Sequence, residues 1–100
     1  MEHYTVYITT NEKRTHLFVD MTRDLRTQLL RLRGMAGERG SEAGRFRCYH
    51  LIYLEKYDSA HLALAQQKKI RSMSRKKQEE LVRSQNPMWK FREAMIIEKD

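Results

Sequence analysis

Two stretches of alternating side chains, joined by a short polar turn, constrain this chain more than any other feature. In Tyr4-Thr5-Val6-Tyr7-Ile8-Thr9 aromatic and β-branched residues predominate, a composition and a period of two that suit a pleated strand. Tyr4, Val6 and Ile8 fall on one face, Thr5, Tyr7 and Thr9 on the other. Asn11-Glu12-Lys13-Arg14 reads as a turn. Thr15 to Met21 reads as the returning strand, with Leu17, Val19 and Met21 on the core face and His16, Phe18 and Asp20 opposite. One face of the hairpin is thus apolar, and the other carries Tyr7, His16, Phe18 and Asp20. A third strand is expected at Cys48-Tyr49-His50-Leu51-Ile52-Tyr53-Leu54-Glu55, which is apolar on both faces and so reads as central and covered on each side.

The intervening segments read as helices. One is expected from about Thr22, read as its N-cap, with Asp24 in the first turn suiting the positive helix end. Leu25, Leu29 and Leu32 form its buried stripe, while Arg23, Arg26, Arg31 and Arg33 occupy the rest. Gly34 to Gly44 (GMAGERGSEAG) holds all four glycines, which predicts a flexible surface loop through which helix does not persist. Asp58 or Ser59 is expected to cap the next helix, which runs to about Met73 with Ala63, Gln67 and Ile70 on one face. Ser74 opens a third helix carrying Leu81 and Val82, and Pro87 stops it. Met88-Trp89-Lys90-Phe91 is expected to pack back, and 92–100 to form a tail with a frayed end. The sum is one α/β (α+β) domain over 1–100 with its core in 4–91. It is a small three-stranded mixed antiparallel sheet flanked by helices, in the order β-β-α-β-α-α.

Composition narrows the function classes. Lys and Arg number 20 against 13 Asp and Glu, a formal net charge of +7, which favours a polyanionic partner. Between Gln66 and Lys77 the sequence QQKKIRSMSRKK carries Lys68, Lys69, Arg71, Arg75, Lys76 and Lys77 with no acid. A second set comprises Arg23, Arg26, Arg31, Arg33, Arg39, Arg45 and Arg47. Such clusters bind phosphates by counterion release and bidentate guanidinium contacts. The plain alternative is a solvated helix face. A membrane surface fits less well, because the cationic helices lack a wide apolar face. No apolar run is long enough to span a bilayer, and no basic-then-apolar export pattern opens the chain, so a cytoplasmic location is expected. Cys48 is the single cysteine, which excludes an internal disulfide and a Cys-rich zinc site. His3, His16, His50 and His61 show no paired metal-ligand spacing, and no phosphate loop or nucleophile elbow occurs.

The order of motifs resembles the small stand-alone bacterial proteins of the GIY-YIG nuclease superfamily. The resemblance lies in Tyr4-Thr5-Val6-Tyr7-Ile8-Thr9-Thr10-Asn11, in Leu17-Phe18-Val19-Asp20-Met21-Thr22, and in Asp24-Leu25 opening a helix. It continues in Leu51-Ile52-Tyr53-Leu54-Glu55, Ala63-Leu64-Ala65-Gln66-Gln67-Lys68-Lys69-Ile70, Ser74-Arg75-Lys76-Lys77 and Asn86-Pro87-Met88-Trp89. It spans about Tyr4 to Phe91. The resemblance implies DNA cleavage by one divalent metal on a helical glutamate, a tyrosine that helps activate water, and a helical arginine that stabilises phosphate charge.

The positions that match those groups are altered. Tyr7 matches the tyrosine of the first motif and is present. Phe18 stands for the tyrosine of the second motif and lacks its hydroxyl, and Asp20 stands for a glycine. Gln28 stands for the arginine, Leu32 for a histidine found in many members, and Gln67 for the metal-binding glutamate, where it offers no anionic oxygen. The expectation is a degenerate GIY-YIG domain, with no cofactor, that binds nucleic acid (DNA favoured) without cutting it. Arg23, Arg26, Arg31, Lys68, Lys69, Arg71, Arg75, Lys76 and Lys77 form the expected binding surface. A rebuilt nuclease is the first alternative, with Asp20 as a displaced carboxylate for magnesium or manganese and Arg31 one turn beyond Gln28. The plainer role for Asp20 is a local cap or a pair with Arg23 or Arg26. For Gln67 it is a hydrogen bond to Tyr7 or Gln28 across the old cleft. A protein-interaction module, using the open sheet edge or the Trp89 tail, is the second alternative.

Overall fold

The computed structural model describes residues 3–98. Its elements run β1 (Tyr4–Thr10), β2 (Leu17–Thr22), α1 (Leu25–Gly34), α2 (Glu42–Arg45), β3 (His50–Tyr57), α3 (Ala60–Ser72), α4 (Arg75–Gln85) and α5 (Glu93–Ile97). The fold is α+β, with one antiparallel sheet in the order β2-β1-β3. The expected β-β-α-β-α-α order is present, with two short helices added. Among the described residues no helix is long and apolar enough to cross a membrane.

The alternation read from the hairpin is realised strand by strand. Val6 and Ile8 face Met21 and Val19 across the ladder and join a core with Ile52, Tyr53, Ala63, Ile70 and Val82, under α3 and α4. Tyr7 points the other way, into a second core with Leu29, Leu32, Ala43, Cys48 and Leu51, against which residues of α1 and α5 pack. In β3, Tyr53 opposes Ile8 and Leu51 opposes Thr9, so Ile52 is an extra residue in a bulge. The bulge lets Ile52 and Tyr53 both serve the α3 side. Each fully buried aliphatic side chain here stabilises the fold by about 1.5–3 kcal/mol.

Several local expectations change. The cap of α1 is Asp24, whose carboxylate accepts from the Thr27 amide at 3.1 Å, while Thr22 ends β2. Thr22 supports the cap, since its Oγ1 accepts from the Asp24 amide at 3.1 Å. Ser59 and Ser74 cap α3 and α4. The Gly34–Gly44 stretch is not loop throughout: Ser41 caps the single helical turn of α2, and Gly44 is buried within it. A Cβ at Gly44 would lie 2.7 Å from the Met35 carbonyl oxygen and 2.9 Å from that of Glu38, so this residue must be glycine for the loop to close. The tail is helical over Glu93–Ile97, whereas Lys99 and Asp100 of its expected frayed end lie outside the described residues.

The third strand is an edge strand, not the central one. Its apolar character on both faces follows from how that edge is closed. Asn86 Nδ2 donates to the Ile52 carbonyl at 3.0 Å, and Gln85 Nε2 donates to that of Leu54 at 2.6 Å. Gln85 Oε1 accepts from the Leu54 amide at 3.0 Å, and Glu93 Oε1 from the Leu51 amide at 2.9 Å. The Arg92 amide donates to the Leu51 carbonyl at 2.7 Å. The end of α4 and the chain from there to the start of α5 thus substitute for a fourth strand and protect the ladder from water.

Candidate functional site

Tyr7 sits mid-strand in β1 and is 0% exposed. The hairpin face that carries it is therefore a second buried face, not an open polar cleft. Phe18 packs against the same cluster, and Asp20 is the direct partner of Tyr7 in the β1–β2 register. Asp20 does not act as a helix cap. Its Oδ1 accepts from the Met21 amide at 2.8 Å and lies 3.6 Å from Arg71 Nη2 of α3. Gln28 of α1 accepts from Arg31 Nη1 at 3.4 Å.

Burial pushes the Tyr7 phenol well above its ordinary value, and the Asp20 carboxylate pushes the same way. The Gln28 amide, Arg71 and Arg31 pull it back. The phenol is therefore protonated at any physiological pH. Its hydroxyl is buried without a hydrogen-bond partner, so Gln28 acts on it through proximity, outside hydrogen-bonding geometry. The structure brings together Tyr7, Phe18, Asp20, Gln28, Arg31 and Arg71.

Gln67 does not join them. It is buried on α3 between Ala63 and Ile70, on the side of the sheet opposite Tyr7. Its Oε1 is buried with no partner, so that oxygen makes no hydrogen bond to Tyr7 or Gln28. A hard divalent cation takes several oxygen ligands, carboxylates foremost. In the Tyr7 group Asp20 is the one carboxylate, and a guanidinium already faces it. The amide of Gln67 adds a neutral oxygen on the other side of the sheet. These residues do not fit a magnesium or manganese ion. Among the described residues no three His, Cys, Asp or Glu side chains converge.

The basic run of α3 and α4 is exposed, but it does not form one stripe. Arg71 Nε and Nη2 donate to the Val19 carbonyl at 3.0 and 2.8 Å. Arg75 donates to the carbonyls of Thr15 at 3.1 Å and Arg14 at 3.2 Å and to Glu79 at 2.9 Å. Both arginines therefore staple the helices to the hairpin. Lys69 and Lys77 line a notch of about 320 Å³ at the α3–α4 junction, with Ser72, Met73 and Ser74. Lys68 and Lys76 sit about 100° around their helices from those neighbours. On and before α1, Arg26 donates to the Ile97 carbonyl at 2.9 Å, and Arg23 lies over the Tyr4 ring at 5.7 Å. Of the expected binding surface, Lys68, Lys69, Lys76 and Lys77 are the cations with the fewest structural duties among the described residues.

Two features lay outside the sequence-based site. His50 Nδ1 pairs with Glu93 Oε2 at 2.6 Å, and its ring stacks on Phe91 at 3.9 Å. A pocket of about 260 Å³ is lined by Asn11, Glu12, Lys13, Phe46, Arg47 and Tyr49. Its sequence signal is the interleaving of cations and aromatics in Arg45-Phe46-Arg47-Cys48-Tyr49. No protein-family model, no curated protein and no solved structure matches this chain.

Proposed function

We propose that this chain is a non-cleaving relative of the GIY-YIG nucleases that binds nucleic acid, DNA foremost, in the cytoplasm. The observation that carries the non-cleaving part is the enclosure of Tyr7. A tyrosine that handles the proton of an attacking water must reach water and a phosphate, and this one is 0% exposed, with its ring packed in the Leu29–Leu51 cluster. The positions that would carry charge in a nuclease are the neutral Gln28 and Gln67, and removal of one oxyanion-stabilising donor alone lowers rates by a factor of about a hundred to a thousand. Binding draws support from the net charge of +7 and the exposed Lys68, Lys69, Lys76 and Lys77.

Such binding is electrostatic and largely indifferent to sequence. Fluorescence anisotropy of a labelled DNA duplex at rising salt tests it. The logarithm of affinity is expected to fall linearly with that of salt, by about 0.9 per phosphate contact, and no binding at low salt refutes the reading. Supercoiled plasmid with magnesium or manganese tests the chemistry. Intact plasmid is expected; nicking that both Asp20→Ala and Tyr7→Phe abolish overturns it.

A further inference from the structure

We infer that the pocket between the β1–β2 turn and the segment after α2 takes one unstacked base of a single-stranded nucleic acid, with a flanking phosphate on Lys13 and Arg47. The inference rests on the nucleic-acid reading above and names the form of strand recognised. Unpaired bases are held by aromatic rings and guanidinium planes, and their phosphates by cations. The lining supplies both, the Phe46 and Tyr49 rings and the cations Lys13 and Arg47, which outnumber the one carboxylate there, Glu12. At about 260 Å³ it is smaller than the roughly 300–1,000 Å³ of pockets for drug-sized ligands. One ring system fits; a large cofactor does not.

The backbone of both walls is held before any ligand arrives, which limits the ordering that binding must impose. In the turn, Asn11 Oδ1 accepts from the amides of Thr15 and His16 at 2.8 and 3.0 Å, and Asn11 Nδ2 donates to Thr15 Oγ1 at 2.7 Å. On the other wall the amides of Phe46, Arg47 and Cys48 donate back into α2, to Glu42, Gly44 and Ala43. Arg47 holds a left-handed φ of 56°, a conformation a non-glycine residue adopts at some strain. His16 ties the walls together: its ring stacks on Phe46 at 3.9 Å and its Nε2 meets Glu42 Oε2 at 2.8 Å.

Phe46 is 38% exposed, and the Arg45 guanidinium lies 4.8 Å from its ring centre. A base that stacks on Phe46 replaces this exposed cation–π contact, which is the weaker of the two.

The test compares a labelled oligothymidylate with an abasic strand of the same length, by anisotropy at fixed salt. The thymidylate is expected to bind roughly five- to 150-fold more tightly, the share of one stacked base. Phe46→Leu, which keeps apolar bulk, is expected to bring it down to the abasic value, while Lys13→Ala weakens both strands alike. The strand comparison uses the unaltered chain and so holds even if a ring variant fails to fold. Equal affinities overturn this inference and leave nucleic-acid binding standing. Failure of both strands and of duplex to bind overturns it together with the reading beneath it. Thymidine monophosphate displacing the oligonucleotide at equal concentration assigns the pocket to a free nucleotide, and overturns the strand.

Discussion

Replacing Tyr7 by phenylalanine tests the proposed non-cleaving reading against a working site. In the function proposed above, Tyr7 is the one group of the nuclease pattern that is kept, and in an active enzyme its loss would be costly. Here its hydroxyl is buried and unpartnered, and a desolvated hydroxyl without a hydrogen bond destabilises a protein by about 1–3 kcal/mol. Removing that oxygen leaves the ring in the Leu29–Leu51 core unchanged, and a small void offsets part of the gain. Tyr7→Phe is therefore expected to stabilise the fold by about 0–2 kcal/mol, which raises Tm by as much as roughly 10 °C in a chain of this size. Thermal and urea unfolding read this directly. A cycle with Gln28→Leu measures how strongly the two side chains couple, and a coupling below about 0.5 kcal/mol is expected. A loss of more than about 1 kcal/mol on Tyr7→Phe, with coupling to Gln28, would mean that the hydroxyl is held in a polar network. The reading of the Tyr7 hydroxyl as buried and unpartnered would then be refuted.

Asn86→Ala removes three hydrogen bonds of a buried side chain, to the Ile52 carbonyl and to the Lys90 carbonyl and amide. At about 0.5–1.5 kcal/mol each it is expected to destabilise the fold by about 2–4 kcal/mol in urea unfolding, and Asn86→Asp, which cannot donate, by a similar amount. Lys69→Gln with Lys77→Gln is expected to lower the salt slope of duplex binding by about 0.9 per lost phosphate contact, with Tm unchanged. Arg71→Gln instead uncaps Val19 and is expected to lower stability by about 1–3 kcal/mol; the opposite pattern would reverse their roles. Alkali is expected to unfold the chain. Burial raises the Cys48 thiol from 9.0 to about 12, with help from Glu42, and raises the Tyr57 phenol from 10.0 to about 12, with help from Glu55; Tyr7 and Tyr53 are raised too. Each keeps its proton longer in the fold than in the unfolded chain, so its contribution is complete below the ordinary value and falls as pH climbs above it. Circular dichroism against pH is expected to show stability falling from about pH 9, and a flat profile to pH 12 contradicts the burial of these groups.

The hairpin, the Leu29–Leu32 stripe, the Ala63-Gln67-Ile70 face and the serine caps were legible because each is a local matter of period or hydrogen-bond chemistry. What stayed hidden was non-local. Nothing in Leu51-Ile52-Tyr53-Leu54 distinguishes a central strand from an edge strand whose edge is closed by residues more than thirty positions away, such as Gln85, Asn86 and Glu93. Glycine density in the 34–44 segment signalled looseness, yet Gly44 is there because two carbonyl oxygens leave no room for a Cβ. For the site, the residue identities at Phe18, Gln28 and Gln67 were readable. That Tyr7 would be sealed, and that Gln67 would face the other core, depends on how α1 and α3 pack. Adjacent lysines and arginines also look alike in a sequence, although one helical step of about 100° sends them in different directions.

Arg71 shows why metal binding at Asp20 is unfavourable in this frame. Its guanidinium closes the free edge of the sheet by capping the Val19 carbonyl, and it also faces Asp20, the carboxylate of the Tyr7 group. A cation placed on Asp20 would meet like charge at close range, which disfavours binding unless the guanidinium leaves. If the guanidinium leaves, an edge-strand carbonyl of β2 loses its partner and the edge is opened to water or another chain. In this chain, then, protection of the sheet edge and metal binding at Asp20 draw on the same side chain in opposite senses. A second-site change that caps Val19 by other means would have to come first.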